Sequence, residues 1–128
     1  MPIIYLSPST QEGNLYLTGG TEEQYMNLIA DAMIPYLLAS GISVTRNDPN
    51  EPLSAAIAAS NAGNYDLHLA LHSNASPPSL AGQLMGPDVY YYRTSQKGRE
   101  AATIFANNLK WIYPDPSLVN IVPTTSLA

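Results

Sequence analysis

Two observations predict an α/β fold, a three-layer sandwich with a mostly parallel sheet flanked by helices. Short apolar runs bounded by Gly, Pro, Ser or Asn alternate with longer segments of helical spacing, in the order β-α-β-α-β-β-α with one further strand at the end. Residues that cap helices stand where two of the helical segments begin. At 128 residues the chain is read as one domain, 1–128, long enough to bury a proper core. No internal repeat, low-complexity tract or linker interrupts it.

The first strand is the apolar run Ile3-Ile4-Tyr5-Leu6, stopped by Ser7-Pro8-Ser9. Residues 7–20, rich in Ser, Thr, Gly and Asn, read as a long loop after a strand's carboxyl end, the usual place for a functional loop. Thr21 caps the first helix, and Gln24 completes a capping box. Tyr25, Leu28, Ile29, Ala32, Met33, Tyr36 and Leu37 give its apolar stripe, Pro35 predicts a kink or a change of turn, and Gly41 ends it. Glu22 and Glu23 occupy the first turn, where carboxylates complement the helix dipole.

Residues 42–46 form the second strand, and 47–52 a turn-rich connector. Residues 53–62 form a second helix with Leu53, Ala56, Ile57 and Ser60 inward, stopped by Gly63. In the third strand, 66–73, Leu67, Leu69 and Leu71 share one face; Asp66, Ala70 and both histidines of the chain, His68 and His72, share the other. Residues 74–87 are a Pro- and Gly-broken loop, 89–92 a Tyr-rich strand. Ser95 caps a third helix with Ala101, Ile104, Phe105, Leu109 and Ile112 as its apolar face. Residues 118–122 form a last strand, and 123–128 a polar, loose end.

Composition narrows the function. Five basic against ten acidic residues give −5, which excludes a basic nucleic-acid surface and disfavours attraction to anionic membranes. Without cysteine there is no disulfide framework and no thiolate zinc site, so any metal must be held by His, Asp, Glu or weaker oxygen donors. The N-terminus has neither a basic start nor a long apolar run; no signal peptide or transmembrane helix is expected, and the chain as written is cytoplasmic unless released or exported. Gly19-Gly20 lacks the Lys-Ser/Thr of a phosphate loop, no Gly-x-Ser-x-Gly elbow is present, and no apolar pocket pattern surrounds a carboxylate pair. What remains is metal-directed. Glu23 opens a helix, His72 ends a strand, and on a parallel sheet both lie at one edge, where zinc can bridge them. His68 lies roughly 13 Å from His72 along a strand at ~3.3 Å per residue and cannot easily join the same ion.

Glu23 four residues before Asn27, Thr45-Arg46 after the second strand, and His72-Ser-Asn-Ala75 at the end of the third occur in this order over nearly the whole chain. The set resembles the zinc-dependent N-acetylmuramoyl-L-alanine amidases of the bacterial cell wall. The resemblance implies a peptidoglycan hydrolase, with zinc as cofactor and the glycan and stem peptide as partners. By that resemblance Glu23 and His72 are metal ligands and Asn74 contacts substrate. Two departures stand out. The family's first ligand is a His in a Gly-rich loop, whereas residues 7–13 here contain none; Glu12, or the weaker neutral Gln11, is the replacement, with Glu12 preferred on charge grounds. The family also continues into another strand pair with a general-base Glu, here expected beyond Ala128. Either the chain is a fragment lacking its last part, or it lacks the base. The exposed sheet edge would invite a homo-oligomer. The alternative is a catalytically inactive peptidoglycan-binding or interaction domain with the same fold; a third reading is an α/β domain whose likeness is structural only.

Overall fold

The computed structural model describes residues 2–11, 15–17, 19–73, 78–80, 83 and 85–125. The architecture is α/β, and the chain divides into two compact units, Met1–Ala75 and Ser76–Ala128. Among the described residues every pairing between strands of a sheet is parallel.

The first unit contains β1 (Ile3–Pro8), α1 (Glu22–Ala39), β2 (Ser43–Arg46), α2 (Leu53–Ala62) and β3 (Leu67–Leu71). Its sheet has the order β2-β1-β3, so the first strand in the chain is the central one. Ile4 registers with Val44 on one side and Leu67 on the other, and Leu6 with Arg46 and Leu69. Burial follows from this position: Tyr5, Leu6, Ser7 and Pro8 are all inaccessible, and full burial of Leu6 alone contributes about 2 kcal/mol. Asp66 fixes the register at the other end, its carboxylate accepting from the Ile3 N–H at 2.8 Å while its own N–H reaches the Ile3 carbonyl at 2.9 Å.

Ile4, Leu6, Val44, Leu67, Leu69 and Leu71 pack on one face with Ala30, Met33, Ile34 and Leu37 of α1. The three-leucine alternation of β3 thus makes the core expected of it. The strand stops at Leu71, so His72 lies one residue beyond it rather than on its last position. The opposite face carries Tyr5, with its ring edge against Tyr65 (centroids 5.1 Å apart) and tilted against His68 (5.2 Å). Because β2 and β3 lie on opposite sides of β1, right-handed crossovers carry α1 and α2 to opposite faces of the sheet. The predicted inner stripe of α2 agrees with its burial, Ala56 being buried and Leu53, Ile57 and Ser60 half-buried.

The stripe predicted for α1 holds only in part: Met33 and Leu37 pack against the core, but its other large members turn outward. Tyr25, Leu28, Ile29 and Tyr36 are exposed, whereas Glu22, Met26 and Ala30 are buried with Met33, Ile34 and Leu37 behind them. The helix is apolar on two sides, so a 3.6-residue period alone gives two solutions. Packing selects the one where Ala30 lets the helix approach the sheet. Thr21 and Gln24 form the predicted capping box: the Gln24 N–H donates to Thr21 Oγ1 at 3.2 Å and the Thr21 N–H to Gln24 Oε1 at 3.0 Å. Pro35 does not divide α1. The Asp31 carbonyl that it cannot serve lies on the exposed side of the helix, where water can reach it.

The second unit contains β4 (Asp88–Tyr92), α3 (Gln96–Ile112) and β5 (Asn120–Thr124), with β4 and β5 paired in register from Asp88–Asn120 to Tyr92–Thr124. Ser95 caps α3 as predicted, accepting from the Gly98 N–H at 2.9 Å. The buried face of α3 is set by Ala102 and Ala106; Ile104 and Ile112, predicted inward, are exposed. The last strand begins two residues later than expected and runs through Pro123 into Thr124, because residues Pro116–Leu118 form a short 3-10 turn. A two-stranded sheet has only edge strands, where a proline without an N–H is tolerated. Gly86, at φ +103°, could not carry a side chain: a Cβ would lie 2.4 Å from the Leu118 carbonyl oxygen.

Candidate functional site

The carboxyl edge of the first sheet gathers three segments. β3 ends at Leu71, and β1 continues beside it, with the Ser9 N–H donating to the Leu71 carbonyl at 2.9 Å. The loop after β1 therefore leaves the sheet next to His72, with the Gln11 N–H turned back onto Ser9 Oγ at 3.1 Å. The third segment is the first turn of α1.

Glu22 joins them. Its carboxylate is buried, with Oε1 3.2 Å from Nδ1 of His72 and accepting from the Ser73 N–H at 3.1 Å. A buried carboxylate needs such partners, and the helix N-terminus adds favourable partial charge. The His72 side chain remains about a third exposed, at 34%. A hydrogen bond from Nδ1 to a carboxylate fixes the ring and directs the other nitrogen, Nε2, toward a ligand.

The carboxylate bonded to His72 Nδ1 is that of Glu22. The reason is helical phase. Glu22, Met26, Ala30 and Ile34 follow one another at four-residue steps on the buried face, so the residue at the head of that stripe is aimed at the sheet. Extending the correct stripe back by one turn would have found Glu22 in the sequence.

Glu23 heads the adjacent row with Asn27 and Asp31. Together with Thr21, Gln24, Asn27 and Pro49 it lines an open groove. Asn27 donates to the Glu23 carbonyl at 2.7 Å and accepts from Arg46 Nη2 at 2.7 Å, while Arg46 Nη1 reaches Asp31 at 2.6 Å. The residues singled out as Glu23, Asn27 and Arg46 are therefore one connected group. Glu12 and Asn74 lie outside the described residues. Among the described residues no cluster of three or more His, Cys, Asp or Glu is placed to hold a metal ion, and no helix is long and apolar enough to cross a membrane.

His68 is separate from this edge. It lies against Tyr5 within the sheet, and its pKa falls below the ordinary 6.5 because burial disfavours the cation and His72 adds repulsion. Burial likewise raises the Tyr5 phenol, with smaller contributions from Tyr65, Glu51 and Asp48.

A further residue reaches the site from a part of the first loop that sequence reasoning treated only as loop. The Tyr16 hydroxyl is hydrogen-bonded to Ser73 Oγ, and the Tyr16 ring packs on Tyr25 with centroids 4.8 Å apart. No family model, curated protein or solved structure matches the chain.

Proposed function

We propose that the chain is the catalytic domain of a zinc-dependent N-acetylmuramoyl-L-alanine amidase, which cleaves the amide between the lactyl group of N-acetylmuramic acid and L-alanine. The observation that carries this reading is the buried Glu22 carboxylate on Nδ1 of His72, at the carboxyl edge of a parallel sheet. A half-exposed imidazole oriented by a carboxylate has the donor chemistry of a zinc ligand, so this side of the site fits the metal. In the proposed set His72 supplies Nε2, Glu23 supplies a carboxylate from the adjoining row of α1, and Glu12 supplies the third donor from the first loop. Zinc, when bound, polarises the scissile carbonyl and activates water. Glu22 holds the imidazole in one tautomer and one orientation; the groove along Glu23, Gln24 and Asn27 offers polar groups to a peptide. The glycan and stem peptide are the partners, and Asn74 is proposed as a substrate contact.

The second reading, a peptidoglycan-binding domain without catalysis, is favoured by residues 7–13, which hold no histidine. Zinc titration of the purified chain and of His72→Ala, with release of new N-terminal L-alanine from purified cell wall, separates the two. The amidase reading expects stoichiometric zinc that is lost in the variant, together with alanine release. Wall binding without zinc or release would establish the second reading instead.

A further inference from the structure

Tyr16 approaches the site across 57 residues of sequence to bond Ser73, whose backbone N–H donates to Glu22. The segment carrying Tyr16 is itself fixed at both ends. Leu15 pairs with Thr21 in an antiparallel bridge, the Tyr16 N–H donates to the Gly20 carbonyl at 3.0 Å, and the Gly19 N–H donates to the Tyr16 carbonyl at 3.1 Å. Gly20, at φ +81°, lies under the Tyr25 ring, where a Cβ would come within 2.6 Å of ring carbon. Leu15 and Leu17 on either side of Tyr16 are exposed, so the turn directs this one side chain inward. The result is a closed circuit: Tyr16 to Ser73, Ser73 to Glu22, Glu22 by one peptide bond to Thr21, and Thr21 back through the turn to Tyr16.

We propose that Tyr16 is a positioning residue for the Glu22–His72 pair. By pinning the Ser73 side chain it holds the Ser73 N–H on Glu22 Oε1 and so keeps that oxygen beside His72 Nδ1. The inference rests on the functional reading above for its consequence, a correctly aimed His72, and on the hydrogen-bond circuit for its mechanism. Tyr16 does not touch substrate in this role; it acts through Ser73.

The test compares wild type, Tyr16→Phe, Ser73→Ala, Ser73→Thr and the Tyr16→Phe/Ser73→Ala double variant by amide hydrogen exchange, with zinc affinity measured in parallel. Tyr16→Phe keeps the ring on Tyr25 and removes only the hydroxyl. Each of Tyr16→Phe and Ser73→Ala is expected to speed exchange of the Ser73 amide about fivefold, the loss of one hydrogen bond. The double variant should exceed neither single, and Ser73→Thr, which retains a hydroxyl, should restore protection. If one single variant does not fold, the other and its threonine control decide. An unchanged Ser73 amide in Tyr16→Phe, or additive effects in the double variant, would overturn the proposal. Zinc affinity should weaken in parallel with the exchange. Absence of zinc binding in wild type counts against the amidase reading alone, because the exchange coupling is measured without metal.

Discussion

In the first unit the central strand buries Ile4, Tyr5 and Leu6 between two neighbours, whereas in the second the buried apolar residues, among those described, are Ala102, Ala106 and Val119 around a two-stranded sheet. Both units use parallel pairing, yet they differ in what a buried position is worth. A two-stranded sheet is at best marginal without support, and alanines contribute little apolar area. The candidate site is built on the unit with the larger aliphatic core. Residues that must be held to within a fraction of an ångström are better placed on rigid elements than on loops.

That contrast is open to attack by mutation. Leu6→Ala should lower unfolding free energy by about 2–5 kcal/mol, against roughly 1–2 kcal/mol for Val119→Ala, in urea titrations with site-specific probes in each unit. Equal losses would erase the distinction between the units. Glu22→Ala should cost about 2–3 kcal/mol, because it removes the buried carboxylate that holds the Ser73 N–H and His72 Nδ1. A cost below about 0.5 kcal/mol would show that this carboxylate does not hold the sheet edge. Thr21→Ala removes one half of the capping box and should cost about 1 kcal/mol, read from the same titrations.

The smallest effect concerns pH. The folded pKa of His68 lies below its unfolded value of 6.5, so the unfolded chain takes up the proton more readily. Its contribution favours folding above pH 6.5 and is lost as pH falls from 6.5 through the lower folded value. His68→Phe should flatten that part of the stability profile while leaving the neutral-pH plateau within about 1 kcal/mol. An unaltered slope would assign the acid sensitivity to other groups.

Much of this was legible before any coordinates. The leucine alternation of β3, the capping box at Thr21 and the cap at Ser95 are local signals, and local signals survive folding. The inward face of α1 was legible only in part: Met33 and Leu37 do reach the core, but Tyr25, Leu28, Ile29 and Tyr36 complete the stripe as well on sequence grounds as Met26, Ala30 and Ile34 do. Choosing between them requires the sheet against which the helix packs. That one ambiguity hid the contact of Glu22 with His72. Tyr16 was hidden for a different reason: nothing near it in sequence signals a bond to Ser73, which only the return of β3 beside β1 brings within reach. The exposure of Ile104 on α3 follows the same rule as α1, with small alanines marking the contact face.

The central place of β1 also bears on how the chain is made. Its residues are made before those of either neighbouring strand, so Leu6 has no strand beside it until Arg46 and then Leu69 have followed. Because both pairings are parallel, no hairpin can shelter this apolar segment in the meantime. The central strand of this sheet is thus made before either of its neighbours, and during that interval its apolar side chains are open to a chaperone.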